Sequence, residues 1–304
     1  MEGKEDRLDA LGTLSDGMAE AVERISPAVV RVNGRRRRPA SGVVYATEMV
    51  LTASHVLERE EDLSVVTDAG DTHAARLVGR DHSSDLAVLR VEGLDVRPAA
   101  PAEETVRVGQ LALAVGRGSR GEGTRASLGI VSAVGGPLRT RWGRRLERYI
   151  QTDAVSYPGF SGGPLIGVRG EVLGIVTTGL SRGAALAIPG DLAWRTADTL
   201  SERGSIKRGY LGILSQPVRL PDARRMGLTQ PGGLLVVGVE EGSPADAGGL
   251  ILGDILATLD GQPLEDTEDL LALLTGERVG APVPVEVVRG GEPKTLEVTV
   301  GERG

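Results

Sequence analysis

The 304-residue chain contains no cysteine. That excludes disulfides and thiolate metal ligands, and it leaves the compartment undefined by redox chemistry. Only three scattered histidines are present, His55, His73 and His82, so no zinc site or other metal centre is expected. Aromatic residues amount to 2% of the chain, so its cores must be built from Val, Leu, Ile and Ala. Lysine is nearly missing: Lys4, Lys207 and Lys294 are the only ones among 35 basic residues. No apolar run reaches the length of a membrane span. The opening Met1-Glu2-Gly3-Lys4-Glu5-Asp6-Arg7 is charged, with no apolar stretch behind it, and does not read as a signal peptide. No phosphate-cradling P-loop occurs, and no cofactor is implied.

What is present points to β structure. Forty-four glycines and 16 prolines alongside 40% hydrophobic residues suit a loop-rich β fold with room for two domains. Short β-branched runs bounded by turn residues predict strands at Val29–Val32, Gly42–Tyr45, Leu63–Val66, Leu86–Val91, Leu111–Val115, Ile130–Val134 and Val172–Thr177. This spacing favours paired antiparallel barrels over βαβ units. Leu11, Leu14, Met18, Ala21, Val22 and Ile25 recur at helical spacing before Ser26-Pro27, and residues 191–200 read as a second helix followed by Gly204. Gly116-Arg117-Gly118-Ser119-Arg120-Gly121 matches a dinucleotide fingerprint. The residues after it are β-like rather than helical, so it reads as a glycine-rich loop.

The segment with the most chemical content is Gly159-Phe160-Ser161-Gly162-Gly163-Pro164. A serine hydroxyl becomes nucleophilic when a neighbouring base takes its proton, and flanking glycines let backbone N–H groups aim at a developing oxyanion. The run also fits the G-x-S-x-G elbow of α/β-hydrolases, but that fold needs its histidine after the serine. All three histidines precede Ser161, which leaves the order His…Asp…Ser. His55 ends the apolar run Val50-Leu51-Thr52-Ala53-Ser54, and Asp85 opens Leu86-Ala87-Val88-Leu89. His73 and His82 lie in polar stretches and read as surface residues.

These phrases, with Gly129-Ile130-Val131-Ser132-Ala133, Ile150-Gln151-Thr152-Asp153-Ala154 and Leu186-Ala187-Ile188-Pro189, resemble the chymotrypsin-fold serine proteases, and among them the HtrA (Deg) family. The resemblance spans about residues 27–196. It implies His55 as general base and then acid, Asp85 as its orienting partner and Ser161 as nucleophile. The N–H groups of Gly159 and Ser161 would form the oxyanion hole. Two departures stand out: Tyr157 and Phe160 occupy positions where most members carry asparagine, and Phe160 is the only phenylalanine in the chain. Val155 lies where trypsin-like members place the aspartate that selects basic side chains. With Thr177, Thr178 and Leu186 it would make an uncharged specificity pocket, suited to small or aliphatic residues.

A second resemblance follows. Arg208-Gly209-Tyr210-Leu211-Gly212-Ile213 is similar to the carboxylate-binding loop of PDZ domains. Tyr210, Leu211, Gly212 and Ile213 would bind a peptide C-terminus, with Leu270 and Leu274 of the segment Thr267–Leu274 lining the groove. The expected fold is therefore mostly β: two antiparallel β-barrels plus a C-terminal PDZ-like α+β domain. The expected division is an N-terminal segment with a short helix at 1–26, a trypsin-like protease domain at 27–203, a linker at 204–208 and a PDZ domain at 209–304. Residues 1–205 carry a net charge of −1 and residues 206–304 one of −6.

Two arginine clusters, Arg35–Arg38 and Arg139, Arg141, Arg144, Arg145 and Arg148, read as solvated loops. In the family the second would be a sensory loop. An overall charge of −7 speaks against nucleic acid as a partner. Some members trimerise through an aromatic N-terminal segment; residues 11–25 hold no aromatic side chain, so a trimer is weakly supported while a homo-oligomer stays open as a partner. The reading is an ATP-independent serine endopeptidase of protein quality control, acting on unfolded or damaged protein. The alternative from another class is a peptide-binding adaptor or chaperone whose protease site is locked by Phe160.

Overall fold

The computed structural model describes residues 2–35, 40–118, 123–139, 145–180, 185–204, 208–220, 230–274 and 278–303. The chain forms two compact units, residues 1–205 and 206–304. Arg36–Arg38, residues 140–144 of the second arginine loop, and the side chains of Arg139 and Arg145 lie outside the described residues.

The first unit opens with helix α1, Glu2–Ile25, longer than its periodic stretch. Ala21 and Ile25 at its end are buried, whereas Leu11 and Leu14 are exposed. Six strands then close a barrel: β1 Val29–Asn33, β2 Ala40–Ala46, β3 Met49–Ala53, β4 Leu63–Val66, β5 Thr72–Asp81 and β6 Leu86–Arg90. Their order around the barrel is β1-β2-β3-β6-β5-β4, all neighbours antiparallel. A second closed barrel comprises β7 Leu111–Arg117, β8 Thr124–Gly135, β9 Tyr149–Thr152, β10 Pro164–Ile166, β11 Val172–Thr177 and β12 Ala185–Pro189. Its order is β9-β12-β11-β10-β7-β8. After Gly116 the chain continues into strand β8, so the glycine-rich stretch opens no helix among the described residues.

The barrels are filled almost wholly by aliphatic side chains, as the shortage of aromatics requires. Val30, Val32, Val44, Val50, Ala87 and Leu89 pack in the first; Ala112, Val131, Ile150, Leu165 and Val176 pack in the second. Helix α2, Gly190–Arg203, follows β12 and returns to the first barrel. There Trp194 meets Tyr45 edge-on at 6.2 Å, and the Tyr45 hydroxyl pairs with Ser201 at 2.5 Å. Arg117, almost fully buried, fastens the start of the first barrel to the second. Its guanidinium donates to the carbonyls of Val29 and Ser26, both at 2.9 Å, and pairs with Asp68 at 2.5 Å.

In the second unit, β13 Ile213–Arg219, β14 Gly232–Val239, β15 Ile255–Leu259, β16 Pro282–Arg289 and β17 Glu292–Thr299 form one antiparallel sheet in sequence order. Strand β13 lies at its edge. Helices α3, Pro244–Ala247, and α4, Thr267–Leu273, complete it. The core gathers Leu211, Leu234, Leu256, Leu259, Val285 and Val298. Beneath it Arg289 holds the fully buried Asp254 with two bonds of 2.7 and 2.8 Å. No helix among the described residues is long and apolar enough to cross a membrane.

Candidate active site

Strand register brings the first two candidate residues together. Ala53, at the end of β3, pairs with Leu86, at the start of β6. The residues just beyond them therefore emerge at the same barrel rim. His55 lies in a single tight turn, Ser54–Val56. Asp85 adopts φ 57°, a left-handed conformation that aspartate tolerates better than most residues. This turns its carboxylate back toward the histidine. Asp85 Oδ1 accepts the backbone N–H of His55 at 2.8 Å, and Oδ2 lies 2.6 Å from His55 Nδ1. The Asp85 carbonyl in turn accepts the N–H of Ser54 at 2.8 Å. The carboxylate is buried while the imidazole side chain keeps 26% of its surface, so the ring can reach substrate while its partner cannot reach water.

Thr177, at the end of β11, donates its hydroxyl to the same Asp85 Oδ2 and accepts the N–H of Gly179 at 3.0 Å. Sequence reasoning put Thr177 in the specificity pocket. Its hydroxyl bonds Asp85 of the His55–Asp85 pair, 92 positions away in sequence. Thr178, next in line, is exposed.

Ser161 lies in the loop between β9 and β10. Tyr157-Pro158-Gly159-Phe160 is a reverse turn closed by the Phe160 N–H to the Tyr157 carbonyl at 3.0 Å. Proline supplies its second position, and the third needs a positive φ, which Gly159 provides at 99°. The next bonds run from Gly162 N–H to the Val176 carbonyl and from Gly163 N–H to the Phe160 carbonyl, each 2.8 Å. Among the described residues neither the Gly159 nor the Ser161 N–H has an acceptor. The N–H groups on either side of Phe160 are thus unengaged within the described chain. That hydroxyl pairs with Thr178 Oγ1 at 3.0 Å, and it makes no hydrogen bond to the His55 ring.

The two departures from asparagine have a packing explanation. Phe160 is fully buried in the second barrel's core, and its ring meets Tyr157 edge-on at 5.5 Å. The Arg125 guanidinium lies over the Tyr157 ring, 4.8 Å from its centroid. Gly116 makes the space: a Cβ there would stand 2.7 Å from Phe160 Cδ1. Of the remaining pocket candidates, Val155 is exposed and donates its N–H to the Ser127 hydroxyl at 2.9 Å. Leu186 is buried in β12 beside Thr177. His82 is exposed but not isolated, since its Nδ1 lies 3.1 Å from the Ser54 hydroxyl, next to His55. His73 is half-buried in β5. Arg35 donates to the His55 carbonyl at 2.7 Å, and Arg148 pairs with Asp191 at the head of α2.

In the second unit the loop Tyr210-Leu211-Gly212 leads into the edge strand β13, with Gly212 at φ 84°. Leu211 is buried, and the carbonyls of Leu211 and Gly212 accept the N–H groups of Ala245 and Glu240, both at 2.8 Å. The N–H groups of Leu211 and Gly212 have no acceptor among the described residues. The Tyr210 hydroxyl bonds Glu240. Ile213 is partly buried against the core, while Leu270 and Leu274 belong to it; Leu271 is the exposed leucine of α4.

Comparison with known proteins agrees with both units. The trypsin-like peptidase domain family matches residues 40–175 and the PDZ domain family matches residues 209–300. A protein of Ectopseudomonas mendocina named probable periplasmic serine endoprotease DegP-like is 36% identical over 293 residues. The match takes in 93% of this chain and 61% of that protein. A protein of the same name from Pseudomonas fluorescens is 34% identical over 295 residues, with the same coverage. The chain thus spans about three fifths of the length of the curated relatives it matches. Among solved structures, the serine endoprotease from Yersinia pestis superposes with a TM-score of 0.77 at 30% identity, covering 94% of this chain and 98% of that one. The HtrA-type protease AlgW with tripeptide gives a TM-score of 0.74 at 33% identity, covering 94% and 97%. By sequence and by structure, the chain belongs to the HtrA family of trypsin-like serine proteases that carry a PDZ domain.

Proposed function

We propose that this chain is an ATP-independent serine endopeptidase that cleaves unfolded or damaged protein, using His55, Asp85 and Ser161. One observation carries the reading: the buried Asp85 holds His55 by both ring and backbone, at a rim shared with a serine flanked by two unengaged N–H donors. Ser161 Oγ attacks the scissile carbonyl as His55 takes its proton. Asp85 keeps Nδ1 protonated and stabilises the imidazolium. The N–H groups of Gly159 and Ser161 receive the oxyanion, each donor contributing about 3 kcal/mol to the transition state. His55 then returns the proton to the leaving amine, and water repeats the sequence on the acyl-enzyme. For the first step the Ser161 hydroxyl has to exchange Thr178 for His55.

Val155, Thr177, Thr178 and Leu186 bring no charge to the pocket they are proposed to share, so cleavage is expected after Val, Ala, Leu or Ile. In the second unit, the free edge of β13 and the N–H groups of Leu211 and Gly212 suit an extended peptide ending in a free carboxylate. A peptide C-terminus bound there would recruit substrate or regulate turnover.

The adaptor reading differs in a single measurable way. Digestion of fluorogenic casein should fall by about 10⁴-fold or more in Ser161→Ala, and comparably in His55→Ala, because triad members act as a unit. Equal digestion by wild type and Ser161→Ala would overturn the protease reading. Cut sites mapped by mass spectrometry test the pocket, and dominant cutting after Lys or Arg would refute it.

A further inference from the structure

We infer that Ser41, a residue of the first barrel, is a positioning residue for the nucleophile loop of the second, an inference that rests on the protease reading above. Ser41 lies on β2 and is fully buried. Its N–H donates to the Ser161 carbonyl at 3.0 Å. Its hydroxyl donates to the Gly159 carbonyl at 2.7 Å and accepts the Arg117 N–H at 2.8 Å. Its carbonyl accepts the Thr52 hydroxyl at 2.7 Å. Thr52 stands on β3, three residues before His55. One serine is therefore bonded to the nucleophile loop on both sides of Phe160 and to the strand that delivers the base.

These bonds are not interchangeable with ordinary sheet pairing. The bond from the hydroxyl to Gly159 crosses from one barrel to a loop of the other, 118 positions away. Glycine has no Cβ to restrain its backbone, so Gly159 depends on its hydrogen bonds to keep its two peptide planes in place. The plane that follows it is held at both ends, by the Phe160 N–H to the Tyr157 carbonyl and by Ser41 on the Gly159 carbonyl, while the plane before it carries the unengaged Gly159 N–H. Without the hydroxyl, the Gly159 carbonyl loses its partner, and rotation of that glycine toward another acceptor geometry is favoured. The Gly159 Cα joins that plane to the one carrying the N–H proposed to receive the oxyanion, so the rotation displaces this donor as well. The surroundings are cleared for this contact: a Cβ on Gly116 would stand 2.9 Å from Ser41 Oγ, and one on Gly163 would stand 3.1 Å from Ser41 Cβ.

Ser41 touches neither the reacting atoms nor the His55 ring, so its loss has a distinctive signature. Misplacing a catalytic group by about 1 Å costs about a hundredfold in rate. In Ser41→Ala we expect kcat on an internally quenched peptide to fall by about 30- to 100-fold per folded enzyme. KM should stay within about twofold, and the midpoint of the pH–kcat profile should stay at its wild-type position, because the His55–Asp85 pair is untouched. Phosphorylation of Ser161 by diisopropyl fluorophosphate, with loss of fluoride, should slow in parallel. Ser41→Cys, which keeps a side-chain donor but a weaker and bulkier one, should fall between the two. The folded fraction of each variant is measured by circular dichroism, and if Ser41→Ala does not fold, Ser41→Cys decides. A kcat within threefold of wild type in either folded variant, or a loss confined to KM or to the folded fraction, overturns the inference. Ser161→Ala in the same assay separates the two claims. If it is inactive while Ser41→Ala turns over normally, only the Ser41 role fails; if Ser161→Ala is itself active, the protease reading and the Ser41 role fall together.

Discussion

Gly116→Ala should damage the nucleophile loop through Phe160, without touching any residue of the proposed triad. The added methyl would stand 2.7 Å from Phe160 Cδ1, 2.9 Å from Ser41 Oγ and 3.0 Å from Phe160 Cα. Carbon–carbon contacts settle at about 3.5–4.0 Å, so roughly 1 Å must open on the ring side. The ring could tilt, but Phe160 Cα is backbone and Ser41 Oγ is held by two hydrogen bonds, so part of the displacement passes into the loop. Overpacking a buried site of this kind costs about 1–3 kcal/mol. For a unit of this size each kcal/mol lowers Tm by about 2–4 °C, which gives a drop of about 2–12 °C by differential scanning calorimetry. Turnover should fall by about 10- to 100-fold, as expected for a sub-ångström to 1 Å displacement of the oxyanion donors. Shrinking the ring with Phe160→Leu in the same chain should recover part of both losses, a coupling of about 1 kcal/mol or more between two contacting sites. A Gly116→Ala enzyme with wild-type Tm and kcat, or strictly additive effects in the double variant, would refute the packing argument.

Three further outcomes follow from individual contacts. Thr178→Val removes the hydroxyl paired with Ser161, a bond worth about 1 kcal/mol net, so fluorophosphonate labelling of Ser161 should speed up by about fivefold; an unchanged or slower rate would mean that the pairing does not restrain the nucleophile. Peptides ending in a free apolar carboxylate should bind the full chain at least about tenfold more tightly than their amides, by fluorescence polarisation, because the amide removes the charge that the Leu211 and Gly212 N–H groups would hold; equal affinities would exclude a carboxylate site there. Burial pushes the Asp254 pKa up, but the bonds from Arg289 and the Ile251 N–H outweigh it and leave the carboxyl below its ordinary 3.8. Its contribution is therefore complete above about that pH and is lost as pH falls through the lower folded value, so hydrogen-exchange protection of β15 and β16, relative to the intrinsic rate at each pH, should fall on acidification below about pH 4. Asp254→Asn should blunt this acid response, and an identical acid limb in the variant would contradict it.

Much of the architecture is legible in local sequence. The predicted strands at Leu63–Val66 and Val172–Thr177 coincide with β4 and β11 at both ends, because apolar runs bounded by turns record their own burial. Strand β5, Thr72–Asp81, escapes that reading because it is polar and half-exposed along most of its length; its pairing with β4 and β6 makes it a strand. The helix before β1 is longer than its apolar spacing suggested, and residues 9–16 of it are exposed.

For the site, sequence by itself determined the chemical inventory: one serine among glycines, histidines only upstream of it, an aspartate opening a buried strand, and no cysteine, P-loop or metal-binding cluster to suggest other chemistry. Those facts depend on residue type and order, which a sequence states outright. Only the tertiary structure decided which hydroxyl meets which partner. Thr177 reaches Asp85 across 92 positions, Ser41 reaches Gly159 across 118, and the Ser161 hydroxyl lies with Thr178 instead of His55. The fit of Phe160 against Gly116 likewise appears only once the barrel closes. Such pairings leave no periodicity along the chain, because closure of two barrels, and not any local preference of the backbone, brings these atoms within hydrogen-bonding distance.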